Sequence, residues 1–170
     1  QPYNIFSDCF ATMGFGALYK ATGNEAYAAV AKETFENILK RRHNTKGKYN
    51  KIYPGTRELR NFSLPMILSN LSIEIEHLLD KDLVNNLIED VIHEVMEVFY
   101  QPQHGMIFEN VNHDGSFSDT FEGRLLNPGH TIEAMWFMMD LAVRLNDQKL
   151  INKAVDIALN ALEMGWDKVY

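Results

Sequence analysis

Apolar residues recur at helical spacing along nearly the whole chain, in six segments that fall into three close pairs. The pairs are 8–22 with 25–42, 63–79 with 82–99, and 129–145 with 148–164. Within each pair the link is short and made of turn or cap residues: Thr22-Gly23-Asn24, Asp80-Lys81-Asp82 and Asn146-Asp147. Links this short turn the second helix back along the first, giving antiparallel hairpins. Asn24, Asp80 or Asp82, and Asp147 are placed to cap the second helix of each pair.

The two helices of a pair differ in character. In 82–99, Leu83, Val84, Leu87, Ile88, Val91, Ile92, Val95 and Val98 form one stripe, and Glu89, Asp90, His93, Glu94 and Glu97 lie largely off it. The first helices are apolar more evenly, as in Phe10, Met13, Phe15 and Leu18, or Leu64, Met66, Ile67, Leu68 and Leu71. An inner layer of buried helices wrapped by an amphipathic outer layer is the expected arrangement. Three such hairpins at a spacing of about sixty residues read as a repeat. The predicted fold class is all-α: half of a six-hairpin toroid, forming one partial domain over 1–170.

Charge and cysteine content narrow the functions open to such a fold. The net charge is −7, and the longest basic run, Lys40-Arg41-Arg42, closes a helix where cations complement the dipole. No nucleic-acid partner is expected. The single cysteine, Cys9, excludes an internal disulfide and a cysteine-based zinc site. No signal peptide or membrane-length apolar run is visible, so a cytoplasmic location without a membrane partner is expected. The chain starts at Gln1 without a methionine and ends at Gly165-Trp166-Asp167-Lys168-Val169-Tyr170, which reads as a segment of a longer polypeptide. Open edges of a half-ring would expose apolar surface, and pairing into a homodimer is expected of an isolated segment.

Between the hairpins lie two longer links. One, 43–62, carries His43, Lys46, Gly47, Lys48, Tyr49, Tyr53, Pro54, Gly55, Arg57 and Arg60. The other, 100–128, holds Met106-Ile107-Phe108-Glu109-Asn110-Val111 and Asp114-Gly115-Ser116-Phe117, predicted as two short strands about an Asp-Gly turn. Loops over one end of a helical ring are where a pocket would form.

The chemistry concentrates where this second link enters its helix, at Asn127-Pro128-Gly129-His130-Thr131-Ile132-Glu133. Residues three apart share a helix face, so His130 and Glu133 point the same way from the first turn of a strongly apolar helix. A neutral histidine suits abstraction of a carbon-bound proton when a neighbour fixes its tautomer, and Glu133 is placed to do so. The alternative stays open: Glu133 favouring the helix dipole and His130 donating to a backbone carbonyl. Arg124 can hold an oxygen-rich ligand or pair with Glu122 or Asp119, and Glu109 can face ligand or a loop base. His104 and His113 sit among turn residues, and His77 and His93 read as surface residues. No phosphate-binding glycine loop, Gly-x-Ser-x-Gly elbow or His-Glu-x-x-His spacing occurs, so no metal and no cofactor is expected.

Glu109-Asn110-Val111, Asp114-Gly115, Gly123-Arg124 and Asn127-Pro128-Gly129-His130-Thr131-Ile132-Glu133-Ala134 with Trp136-Phe137 resemble the N-acylglucosamine 2-epimerase family. Ser7-Asp8-Cys9-Phe10-Ala11-Thr12-Met13, Pro65-Met66 and Gly165-Trp166-Asp167 extend the resemblance from end to end. It implies an (α/α)6 barrel, of which these helices are about half. It also implies interconversion of N-acetylglucosamine and N-acetylmannosamine: the sugar opens, a base takes the C2 proton to give an enediolate, and a proton returns to the opposite face.

Family members use two histidines. His130 matches the first and Glu133 the carboxylate beside it, while the second histidine would lie beyond Tyr170 and an arginine before Gln1. The segment alone is then expected to be inactive. Asn61 matches an asparagine that touches sugar in the related isomerases and cellobiose 2-epimerases. Pro65 stands where that branch carries histidine, which favours the N-acyl branch. The expected site is therefore His130 and Glu133 as catalytic residues, with Arg124, Glu109 and Asn61 on the substrate side and an amino sugar as substrate. An aldose–ketose isomerase, a cellobiose 2-epimerase and a non-catalytic helical interaction protein are the alternatives.

Overall fold

The computed structural model describes residues 4–44, 53, 55 and 58–169; Lys46, Gly47, Lys48, Tyr49, Pro54 and Arg57 of the first long link lie outside them. The helices are α1 (Ile5–Thr22), α2 (Glu25–Arg41), α3 (Ser63–Glu74), α4 (Lys81–His93), α5 (Pro128–Leu145) and α6 (Gln148–Gly165). Four short strands accompany them: β1 (Leu59–Asn61), β2 (Tyr100–Gln101), β3 (Met106–Ile107) and β4 (Asn110–Asn112). Among the described residues no helix is long and apolar enough to cross a membrane.

The caps set the helix ends where the turn residues predict. Asn24 Oδ1 accepts from the Ala26 N–H, Asp147 Oδ1 from the Lys149 and Leu150 N–H groups, and Asn127 Oδ1 from the His130 N–H. Of Asp80 and Asp82, Asp80 is the cap, accepting from the Asp82 and Leu83 N–H groups, and Asp82 lies in the first turn of α4. Gly23 takes the left-handed conformation, φ 68°, that closes α1, and Asn146, φ 56°, closes α5 in the same way. The third helix is shorter than its apolar pattern suggests, ending at Glu74 with a tighter turn over Glu76–Leu78. The fourth loosens into a π-type turn over Glu94–Phe99.

The chain divides into two compact units, Gln1–Thr56 with Asn70–Leu87, and Arg57–Ser69 with Ile88–Tyr170. In the first, Ala28, Ala31 and Leu78 form a small core with Phe15 and Tyr19 against it. Gly16 of α1 admits close approach: a Cβ there would stand 3.2 Å from Ile75 Cγ2. Arg41 Nη1, at the end of α2, lies 2.5 Å from Asp8 Oδ2 in the first turn of α1, so a single charge pair ties the two ends of the hairpin.

The second unit carries the α5–α6 hairpin and all four strands. Its core includes Phe62, Val95, Met96, Phe99, Ile107, Val111, Met135, Met138 and Leu141. Phe62 and Phe99 meet with ring centroids 5.3 Å apart. Fully burying one such ring contributes roughly 1.5–3 kcal/mol. Strand β1 pairs antiparallel with β4, Asn61 opposite Asn110, and β2 pairs with β3. This corrects the hairpin expected about Asp114-Gly115. The turn exists, with Gly115 at φ 85° donating to Asn112 O, but residues 106–111 divide between two other partners. β3 returns to Tyr100 and β4 reaches back to Leu59–Asn61.

Candidate functional site

The β1–β4 pairing places the residue just before β4. Glu109 has its backbone N–H on Leu125 O at 3.0 Å, and its carbonyl accepts from Phe62 N–H at 2.9 Å and from Asn61 Nδ2 at 3.2 Å. Its main chain is thus held from three sides, and its side chain is 9% exposed. A carboxylate buried to that degree needs a hydrogen-bond partner. It has one: Glu109 Oε1 lies 2.8 Å from His130 Nδ1.

His130 comes from the first turn of α5, fixed there by the Asn127 cap and by Pro128, whose missing N–H costs nothing at a helix start. The His130 side chain is 37% exposed, so a ring anchored through Nδ1 is still reachable from outside. An ionised carboxylate only accepts, so a neutral ring bonded to it through Nδ1 keeps its proton there and leaves the lone pair on Nε2. No hydrogen bond to Nε2 occurs among the described residues. A ring in that state can take a proton and pass it back, with a carboxylate behind it to stabilise the imidazolium.

The carboxylate on Nδ1 is thus Glu109, where helical spacing offers Glu133. Glu133 is half-buried one turn further along α5, and the ring meets Glu109 instead. Helical spacing puts Glu133 near, and the carboxylate that reaches Nδ1 comes from the bend just before β4. Asn61 is also engaged by protein: beyond Glu109 O, its Nδ2 donates to Asn110 Oδ1 at 3.1 Å and its Oδ1 caps α3 at Ser63 N–H. Asn110, given no role from sequence, closes this set by donating from Nδ2 to Glu122 O at 2.9 Å. Its signal was its place beside a lone carboxylate in an apolar stretch.

Arg124 is apart from this cluster. It pairs with Asp119, Nη1 to Oδ1 at 2.7 Å, with the two side chains 56% and 80% exposed. A pair that exposed is worth about 0–1 kcal/mol, so a ligand can displace it readily. Arg124 also lines a cavity of about 360 Å³ with Asn110, Phe121, Glu122, Leu125 and Leu126, within the range of small-molecule sites. A larger hollow of about 510 Å³ on α6, lined by Leu159, Asn160, Leu162, Glu163 and Trp166, offers neither a histidine nor a cation. His104 packs on Phe108 and Phe117, with centroids 5.4 and 4.6 Å away, and so belongs to an aromatic cluster. Arg60 pairs with Glu94 at 2.5 Å and lies over Phe99. No group of three potential metal ligands occurs among the described residues.

Comparison with known proteins adds a decisive observation. The profile of the family described as N-acylglucosamine 2-epimerase (GlcNAc 2-epimerase) matches residues 1–170. The chain belongs to that family. It is 33% identical over 169 residues to the N-acylglucosamine 2-epimerase of Rattus norvegicus, covering 96% of this chain and 40% of that protein. A crystal structure of a sugar epimerase from a ruminal bacterium superposes with TM-score 0.71 at 16% identity, over 94% of this chain and 43% of that one. A D-mannose isomerase structure gives 0.63 at 12% identity, over 92% and 40%. The fold is accordingly that of the (α/α)6 barrels. The chain spans about two fifths of the length of the curated relatives it matches.

Proposed function

We propose that this chain supplies one half of the proton-transfer machinery of a sugar 2-epimerase that interconverts N-acetylglucosamine and N-acetylmannosamine. The observation that carries the reading is His130, anchored through Nδ1 on a buried carboxylate while its side chain stays partly exposed. In the ring-opened sugar, C2 is adjacent to the aldehyde carbonyl. Nε2 takes the C2 proton, the C–H electron pair forms the C1=C2 bond of an enolate whose charge sits on the former aldehyde oxygen, and His130 becomes an imidazolium facing Glu109. A second base, supplied elsewhere in the complete protein, returns a proton to the opposite face; in the reverse direction the roles exchange. General acid–base catalysis of this kind contributes about 10²–10⁴-fold.

Arg124 is the candidate for the sugar oxygens, since its guanidinium is exposed and only weakly committed to Asp119. Glu133 stays near the ring as a second carboxylate on the helix. The N-acyl substrate class is supported by family membership and by Pro65, which stands where the neutral-sugar branch carries histidine. With one base of two, the chain acting alone is inactive.

Product analysis tests the reading. The complete protein given N-acetylmannosamine should yield N-acetylglucosamine, and His130→Asn should abolish this with the fold intact by circular dichroism. A ketose product, or undiminished activity in His130→Asn, overturns it.

A further inference from the structure

We propose that Glu109 acts on the reaction through His130, as the positioning residue that holds the ring in its Nδ1–H tautomer, and that it does not touch the sugar. This deepens the proposed function, and its catalytic consequence rests on that reading; the tautomer itself does not.

Three observations converge. The carboxylate is 9% exposed while the ring it meets is 37% exposed, so His130 lies between Glu109 and open space. Leu125 O, Phe62 N–H and Asn61 Nδ2 fix the main chain of Glu109, and its buried carboxylate would have to give up its bond to His130 to turn toward a ligand. The 2.8 Å contact falls in the range of charge-assisted bonds, where the acceptor selects which ring nitrogen keeps the proton. A histidine without such a partner favours the Nε2–H form, which would point a proton, not a lone pair, at the substrate. The carboxylate thereby sets both the direction of proton transfer and the orientation of the ring. Asn61, through its bond to Glu109 O, is part of the same support.

The test is the ring's nitrogen spectrum. The complete protein, labelled with ¹⁵N in histidine, is recorded at alkaline pH, and the His130 signals are assigned by their loss in His130→Asn. The expected result is a pyrrole-type Nδ1 and a pyridine-type Nε2, moving toward Nε2–H in Glu109→Ala. Glu109→Gln keeps an oxygen that accepts from Nδ1–H, so it should retain the wild-type pattern and partial activity even if the alanine variant is poorly folded. In turnover, Glu109→Ala should lose about 100-fold in kcat with KM within about twofold. An Nε2–H ring in the wild type overturns the proposal, as does a Glu109→Gln variant that raises KM and leaves kcat unchanged. If the wild-type ring is Nδ1–H but no sugar is epimerised, the tautomer assignment stands and the epimerase reading fails.

Discussion

Glu109 and His130 are 21 residues apart in sequence, yet their side chains meet at 2.8 Å. One comes from a strand edge and the other from a helix start, so the contact depends on the β1–β4 pairing and on the α5 cap being formed together. Damage to either support should reach the histidine.

Asn127→Ala removes the side chain that caps α5 and holds the His130 N–H. Stability should fall by about 1 kcal/mol, and Asn127→Asp or Asn127→Ser should recover most of it. Thermal unfolding of the three variants checks this. Equal melting temperatures would mean that the cap contributes nothing.

Asn61→Asp keeps the oxygen that caps Ser63 but turns a donor toward Glu109 O and Asn110 Oδ1 into an acceptor. The variant should lose about 0.5–1.5 kcal/mol in urea unfolding. A residue whose business is solely with sugar would leave stability unchanged.

Burial pushes the Cys9 thiol up to about 12, and the side chain has no exposure. At neutral pH it is a protonated thiol behind the packed α1–α2 hairpin, and thiolate is the reactive form. It should resist iodoacetamide in the native state and react at the rate of unfolding. Rapid labelling of the folded protein would contradict this packing.

Ser116 holds the Asp114 carboxyl below its ordinary value by donating from both its hydroxyl and its N–H. With the folded value depressed, this turn's contribution is present above the unfolded pKa and is lost as pH falls through the folded one. NMR titration should show Asp114 titrating below the usual aspartate range, moving upward in Ser116→Ala. No movement would remove the hydroxyl as the cause.

The helical hairpins were legible because their determinants are local. Apolar spacing, the Gly23 and Asn146 ends, and the Asn24, Asp80, Asn127 and Asp147 caps lie within a few residues of what they control. The place of His130 on the first turn of α5 was legible for the same reason. The strands were not, since β4 draws its partner from Leu59–Asn61, with α3 and α4 between them in sequence. That pairing is what brings Glu109 behind the ring, and spacing along α5 could offer only Glu133. Arg124 illustrates the converse case: its partner Asp119 is five residues away, and that pairing was one of the two local ones the sequence offered.

The central claim is that Nε2 of His130 moves the C2 proton of an N-acylhexosamine. The most direct measurement follows C2 by proton NMR while the complete protein, beside His130→Ala, works on N-acetylmannosamine in deuterated water. The account predicts N-acetylglucosamine carrying deuterium at C2, formed only when His130 is present. Epimerisation that retains the C2 proton, or deuterium incorporation undiminished in His130→Ala, would contradict it.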